Sequence, residues 1–213
     1  MDQSGVVLTM TERLIPRQYT ACALVDAYWE SLRRGAALPH RGDIDPRGIE
    51  DALNHAFILE SLGAGHARIR IAGLHLNETM GMEVRGMPIA ALFSPAAREG
   101  FGRVIRRVLN GPAKISLTLK GADRPTTSNA RMLLLPLCDD QGVVNRILGT
   151  FETKGTSGPA PQRFEIVSLT KTELTLPQTA GRNDSSKRPA HDSPPHRADS
   201  GYPSYLRLVK SDD

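Results

Sequence analysis

The stretch NETMGMEVRGMPIAALFSPAARE, residues 77–99, decides the fold because it cannot form one continuous helix. Gly81 and Gly86 divide it into single helical turns, since glycine favours helix ends over helix interiors. Ser94 and Pro95 then begin the clearest helix of the chain, with the serine at the capping position and the proline at the first helical position. The pattern predicts several short turns that lead into one long helix.

The long helix has an apolar stripe with the spacing expected of a helix that lies on a sheet, and Asn110-Gly111-Pro112 ends it. The stripe consists of Ala97, Phe101, Val104, Ile105 and Val108. Arginines lie on the opposite side of the helix, and two interpretations of them remain. They form a binding site for a phosphorylated nucleotide or an acidic partner, or they form an ordinary solvated helix face. These arginines are Arg98, Arg103, Arg106 and Arg107.

Extended segments on both sides of this region predict five strands. Two precede it, at about 56–61 and 66–72, and the turn LGAG between them indicates a hairpin. Three follow it, at 113–120, 130–138 and 146–153. The order of elements predicts a small α+β domain whose sheet and helices enclose a pocket.

The second strand alternates cleanly between charged and apolar residues. Arg68 and Arg70 are expected to face one way, and Ile69 and Ile71 the other, because successive side chains of a strand point to opposite faces. Both isoleucines are therefore expected in the interior.

The fourth strand, ARMLLLPLC at 130–138, is apolar on both faces, which predicts a central strand covered on both sides. One face must meet the helices between residues 74 and 110. The helix predicted at 20–34 has an apolar stripe that suits the other face. It would provide this cover either within the same chain or from a second copy in a two-fold dimer.

The C-terminal part of the chain is a poor core builder. Residues 155–204 are rich in Pro, Ser, Gly and scattered charges, a composition that predicts disorder. The sequence thus predicts a flexible arm at 1–19, one domain at 20–153 and a largely disordered tail at 154–213. The tail ends in an apolar segment, Tyr205–Val209, that is expected either to add as a strand to a sheet edge or to fray.

Charge and hydropathy indicate which partners and which cell compartment to expect. The 213-residue chain has a formal net charge of +4 at pH 7, spread evenly along its length, which is only a weak argument for nucleic acid as a partner, and we expect none. The sequence has neither a signal core nor a membrane-length apolar run, so we expect a cytoplasmic protein that does not enter a membrane. Cys22 and Cys138 are interpreted as reduced thiols.

The segment AYWESLRRGAALPHRGDIDP, residues 27–46, resembles the opening of the single-domain PAS proteins common in alphaproteobacteria. The matching residues are Trp29, Leu32, Arg33, Pro39, Arg41, Asp43, Ile44, Asp45 and Pro46. The glycine pair and the helix start within 77–99 also match PAS domains, so the resemblance covers about residues 20–153.

The resemblance implies a five-stranded antiparallel sheet with helices on one face and a pocket between them. It also implies a stand-alone sensory or regulatory protein that binds a small apolar ligand or a signalling protein, since the chain has no room for a kinase or cyclase domain. The alternative is a structural adaptor with a filled core that acts through its N-terminal helix and C-terminal tail.

If the pocket is open, it should be lined by inward-facing apolar side chains. The expected lining is Ile69, Ile71, Leu76, Met80, Leu92, Phe93, Phe101, Val104, Ile115, Leu117 and Leu134. Most residues of this kind form the core, and packing decides whether a cavity is left.

PAS domains that bind flavin or haem have recognisable cofactor residues, and this sequence lacks them. A flavin photoreceptor of this fold needs a reactive cysteine in the short helix, but here Glu78 follows Asn77 and the helix LHLNETMG has no cysteine. A haem sensor usually places its axial histidine on the longer helix, and residues 95–109 contain none. His75 is interpreted as a capping or surface residue. We therefore expect no cofactor and no metal.

Catalytic motifs are absent from the sequence, and we expect no enzyme. Asp43 and Asp45 are two residues apart in an extended link and should point in different directions, with Asp45 capping a short helix that starts at Pro46. For the opening motif two alternatives remain. Either Trp29 and the nearby arginines line a partner surface, or Trp29 packs on the sheet while Arg33 or Arg41 pairs with Asp43.

Overall fold

The computed structural model describes residues 19–35, 37–122, 129–155 and 158–174. Three α-helices are present in this part of the chain, α1 (Thr20–Leu32), α2 (Leu74–Met80) and α3 (Pro95–Asn110). Short 3₁₀ segments cover Arg41–Asp43, Pro46–His55 and Ile89–Leu92. The strands are β1 (Ala56–Gly63), β2 (His66–Ala72), β3 (Ala113–Gly121), β4 (Asn129–Cys138), β5 (Val144–Lys154) and β6 (Phe164–Glu173).

The six strands form one antiparallel sheet in the order β2-β1-β5-β4-β3-β6. The α+β fold with an antiparallel sheet is therefore confirmed, with six strands in place of five. Among the described residues, no helix has the length and apolar character needed to cross a membrane.

The sixth strand lies within the segment that the sequence predicted to be disordered, and that prediction is wrong for Phe164–Glu173. β6 pairs with β3 from Gly121↔Phe164 to Ala113↔Glu173. Phe164 is fully buried, with its ring edge-on to Phe151 at 5.1 Å. The apolar residues with which β6 packs on the core, Phe164, Ile166 and Leu169, are too few for the segment to stand out from its Pro- and Ser-rich surroundings. The predicted end segment Tyr205–Val209 lies outside the described residues.

Each face of the sheet carries its own apolar core. The face that we call the helical face packs against α2, α3 and Ile89–Leu92. The opposite face, here called the N-terminal face, packs against α1 and the segment Pro46–His55. β4 is buried on both sides, as predicted, and α1 of the same chain supplies the second cover. A second copy is therefore not needed to bury this face.

The long helix begins as predicted, with Pro95 at its first position, but Ser94 does not cap it. The Ser94 side chain makes no capping hydrogen bond, and its Oγ is buried without a partner among the described atoms. The predicted inner stripe is confirmed, with Phe101 and Val108 among its fully buried members.

A bulge in the first hairpin overturns the prediction for Ile71. The pairs Ile58↔Ile71 and Leu59↔Ile69 leave Arg70 as an extra residue in β2. The extra residue reverses the alternation, so Ile69 is buried in the helical-face core while Ile71 lies beside Ile58 on the N-terminal face. Ile71 is 50% exposed and does not line the interior.

Candidate functional site

Among the described residues, buried apolar side chains pack the interior beneath the helical face. Apart from Ile71, the expected lining residues are all buried in this core: Ile69, Leu76, Met80, Leu92, Phe93, Phe101, Val104, Ile115, Leu117 and Leu134. The Phe93 and Phe101 rings stack with centroids 4.1 Å apart. A cavity of about 10 Å³ lies among Ile69, Leu76, Met80 and their neighbours. That volume is at the limit for one water molecule, so it does not hold a small apolar ligand as it stands.

Trp29, the central residue of the opening motif, packs on the sheet. It is fully buried, and its indole Nε1 donates to the Pro136 carbonyl over 3.1 Å. The Arg33 guanidinium lies 5.4 Å from the ring centroid and Lys114 Nζ lies 5.9 Å from it. Of the two alternatives for Trp29, packing is the one observed, and the residue is not available to a partner.

Lys114 on β3 links α1 to the sheet through two ion pairs. Its Nζ lies 2.7 Å from Asp26 Oδ1 and 2.8 Å from Glu30 Oε1. Burial by itself would lower the pKa of Lys114, but the hydrogen bonds and charges of the two carboxylates outweigh it, so the pKa is raised. Leu32, another motif residue, is partly buried and packs against the same core.

The buried carboxylate of Glu152 on β5 caps the N-terminal end of α1. Glu152 is 4% exposed, and its Oε2 accepts a 3.1 Å hydrogen bond from the backbone N–H of Ala21 in the first turn. Lys154 Nζ lies 3.0 Å from its other oxygen. Because this cap comes from a residue 131 positions away, local sequence patterns give no sign of it.

The acidic motif residues hold the backbone of the link between α1 and the sheet. Asp43 Oδ2 accepts from His40 N over 2.8 Å, and Asp45 Oδ1 accepts from Arg47 N over 3.0 Å at the start of the segment whose first residue is Pro46. The predicted capping role of Asp45 is therefore confirmed.

Three further motif residues, Pro39, Arg33 and Arg41, lie in or beside the link. Pro39 is buried, and its carbonyl accepts from Cys138 N over 3.0 Å. Among the described residues, neither Arg33 nor Arg41 forms an ion pair with Asp43, and Arg33 lies 3.5 Å from Glu30 instead. The predicted pairing with Asp43 is not observed.

His75 at the start of α2 is more buried than the sequence suggested. Its Nε2 lies 3.0 Å from Thr153 Oγ1, and its ring centroid is 4.7 Å from that of His55. His55 Nδ1 in turn contacts the Phe151 carbonyl at 3.2 Å. Burial lowers the pKa of His75, and the neighbouring His55 lowers it further. In the part of the chain that the structure describes, no group of His, Cys, Asp and Glu is arranged to hold a metal.

An open apolar cleft of about 310 Å³ lies on the N-terminal face. We call it the cleft. Its floor consists of residues of β1, β2 and β5, among them Ile58, Ile71 and Leu148, and its wall is the link with Pro46–His55. Arg41 and Asn54 are the polar side chains of the lining, whose members are Arg41, Ile44, Pro46, Ile49, Leu53, Asn54, Ala56, Phe57, Ile58, Ile71, Ala72, Gly73 and Leu148.

A row of charged residues crosses the sheet next to the cleft floor, and we call it the basic row. It consists of Arg68, Glu60 and Arg146, which are paired across β2, β1 and β5, together with the bulged Arg70. Glu60 Oε2 lies 2.5 Å from Arg68 Nε and 2.6 Å from Arg70 Nη2, and its Oε1 lies 3.0 Å from Arg146 Nη2. Burial alone would raise the pKa of Glu60, but the Arg68 hydrogen bond and the arginine charges lower it.

Sequence reasoning missed both the cleft and the basic row. The hairpin alone brings Glu60 and Arg68 together, and this contact was detectable from the turn. Arg146 joins them only through the pairing of β1 with β5, which no local pattern specifies.

Comparison with known proteins agrees with this geometry. The model of the family described as PAS domain matches residues 17–152. No curated protein matches the chain. Since the matched region covers well over half of the 213 residues and contains β1 to most of β5, the chain belongs to the PAS domain family.

Proposed function

We propose that this protein is a cytoplasmic regulator that acts by binding a signalling protein at its surface, and that it does not hold a small apolar ligand in its interior. PAS domains are sensory and regulatory modules, which sets the functional class. The observation that carries the proposal is the contrast between the two faces of the sheet. About 10 Å³ is left in the cavity on the helical face, whereas the cleft on the N-terminal face offers about 310 Å³.

Exposed apolar side chains at the cleft support a surface role. Ile71 is 50% exposed and Leu53 is 37% exposed, and both line it. Apolar groups gathered in a concave, open site are typical of interaction sites. Part of the opening motif then has an indirect role, because Trp29, Asp43 and Asp45 hold the cleft wall in place. Other motif residues line the cleft directly, namely Arg41, Ile44 and Pro46.

The adaptor alternative is also supported by the filled core, but it assigns binding to α1 and the C-terminal tail. The outer side of α1 carries Leu24, which is 41% exposed, between the exposed alanines Ala23 and Ala27. This side is where we would place a homodimer contact. Light scattering of the full chain, compared with a Leu24→Glu variant, tests that arrangement.

Native mass spectrometry of the full chain purified from its host tests the proposed function. We expect a bound protein and no stoichiometric small molecule. A small molecule that stays bound to an Ile71→Glu variant, in which the cleft is damaged, would refute the proposal because it would have to occupy another site.

A truncation separates the proposal from the adaptor alternative. The chain should be cut after residue 174 and not near residue 155, because β6 pairs with β3 along its length. If partner binding survives in residues 1–174, the tail is not required. If binding is lost while the truncated protein keeps its thermal stability, the adaptor alternative replaces the proposal.

A further inference from the structure

We infer that the cleft and the basic row together dock an acidic, amphipathic segment of the partner protein. This inference rests on the proposed function, and it adds the chemistry of the partner. Three features support it: an apolar and a basic surface are adjacent, positive charge is in surplus there, and an arginine at the cleft has no side-chain partner among the described residues.

The apolar and basic surfaces are neighbouring rows of paired residues on the same face of the sheet. Ile71, Ile58 and Leu148 are paired across β2, β1 and β5 and form the cleft floor. The basic row lies two residues further along β1 and β5, which places it about 7 Å away on the same side of the sheet. A segment that fills the cleft with apolar side chains therefore reaches the arginines with its neighbouring residues.

The basic row has more positive charge than its one carboxylate can balance. Three guanidinium groups contact Glu60, which leaves a surplus of two positive charges. The side chains of Arg68 and Arg70 are 37% and 47% exposed, and each guanidinium carries five N–H donors. Glu60 thus holds the arginines in fixed positions while donors still point towards solvent, an arrangement that suits an incoming carboxylate.

Arg41 adds a third positive charge at the cleft itself. It is half-buried, and within the described residues its guanidinium makes no hydrogen bond or ion pair. The cleft lining contains no acidic residue. A second site of about 390 Å³ shares Ile71 and Ala72 with the cleft and is lined by Arg70 and Arg85 against one acid, Glu83. Positive charge therefore predominates on both sides of the apolar floor.

Charge also argues against two other occupants. A second copy of the chain would bring the same surplus of positive charge to the contact. The end of the chain's own tail, YPSYLRLVKSDD at 202–213, balances Arg207 and Lys210 against Asp212 and Asp213, so its side chains bring no surplus of negative charge to the arginines. Like charges placed opposite one another disfavour binding, whereas an acidic segment is attracted.

Selection from a phage-displayed library of random peptides on the immobilised full chain tests the inference. We expect enriched peptides that combine several Asp or Glu residues with at least two large apolar residues. A fluorescent synthetic copy of the best peptide should bind about 30-fold more weakly to Ile71→Glu and about 10-fold more weakly to Arg70→Glu, as measured by anisotropy. Binding should also weaken as salt is raised.

Arg103→Glu on the exposed side of α3 is the matched control, since it makes the same charge change away from the cleft and should alter binding less than about twofold. Arg70→Gln removes the charge without reversing it, and together with thermal melts it separates lost binding from lost folding. The inference fails if no peptide is enriched, if the enriched peptides are not acidic, or if they bind Ile71→Glu as well as the wild type. It also fails if the wild type is a dimer that Ile71→Glu dissociates, because a second copy would then occupy the cleft.

The same variants distinguish this failure from failure of the proposed function. A host partner that binds Ile71→Glu unchanged would leave the proposed function in place and refute the docking site. If acidic peptides bind at the cleft but no host protein is found, the docking site would stand and the proposed function would fail.

Discussion

Replacing Trp29 is the most direct test of the view that the opening motif is structural. The side chain is fully buried on the N-terminal face and donates one hydrogen bond to Pro136. Truncation of a buried Trp to Ala costs about 3–5 kcal/mol through lost transfer energy and the cavity left behind, and the lost hydrogen bond is worth about 1 kcal/mol. We therefore expect Trp29→Ala to lower the free energy of unfolding by about 4–6 kcal/mol, a large part of the stability of a domain this size.

Trp29→Phe separates the two contributions. Phenylalanine keeps most of the buried ring but cannot donate to the Pro136 carbonyl, so its cost should be about 1–3 kcal/mol. Urea unfolding followed by far-UV circular dichroism measures each variant, and fluorescence of Trp29, the one tryptophan of the chain, gives an independent transition for the wild type. Leu24→Ala on the exposed side of α1 is the control and should cost less than about 1 kcal/mol.

Two results would contradict this reasoning. If Trp29→Ala cost no more than Leu24→Ala, the residue would not anchor α1. If Trp29→Ala instead left stability unchanged but abolished partner binding, the motif would be a partner surface, and the assignment of the cleft would lose its basis.

Three further predictions follow from burial. The pKa of His75 is lowered in the folded protein, so the unfolded chain binds more protons just below pH 6.5. The melting temperature should therefore fall as pH is lowered from about 7 to about 5. His75→Gln should make the melting temperature less dependent on pH over this range. Burial raises the pKa of the Cys22 thiol to about 11, so at pH 8 its thiolate fraction is about 100-fold below that of an exposed thiol, and mass spectrometry should show iodoacetamide labelling mainly after unfolding. A Cβ at Gly149 would lie 2.3 Å from the Phe57 ring, so Gly149→Ala should cost about 1–3 kcal/mol in urea unfolding, whereas Gly111→Ala, with open space around it, should cost much less.

Local periodicity was enough to find β1 to β5 and the long helix, because those elements alternate or repeat within a few residues. Ser94 shows the limit of local rules. It occupies the capping position that the sequence predicts, yet its side chain makes no capping bond. The Ser94 N–H instead donates to the carbonyl of Phe164 on β6 over 3.0 Å, a strand that the sequence did not reveal.

Ile71 shows how one residue changes the candidate site. Strict alternation places it in the interior, but the bulge at Arg70 moves it to the opposite face, where it becomes part of the cleft floor. A bulge of this kind depends on how two strands pair and not on the composition of either one. Arg70, the bulged residue, contacts Glu60 from the same face as Arg68, so the bulge places Ile71 on the face that already carries the basic row.

The opening motif and the cleft are linked by the way the wall is held. The Tyr28 hydroxyl accepts from Asp45 N over 2.8 Å and lies 3.1 Å from the Asp45 carbonyl, and a Cβ at Gly48 would lie 2.2 Å from the Tyr28 ring. These contacts set the start of Pro46–His55, which carries Ile49 and Leu53 into the wall. Trp29, Asp43 and Asp45 thus help to fix the shape of the wall without lining the cleft. The cleft lining includes three other residues of the opening motif, Arg41, Ile44 and Pro46. We expect partner choice to depend on half-buried Arg41 within the motif and on the exposed Ile71 and Arg70 outside it.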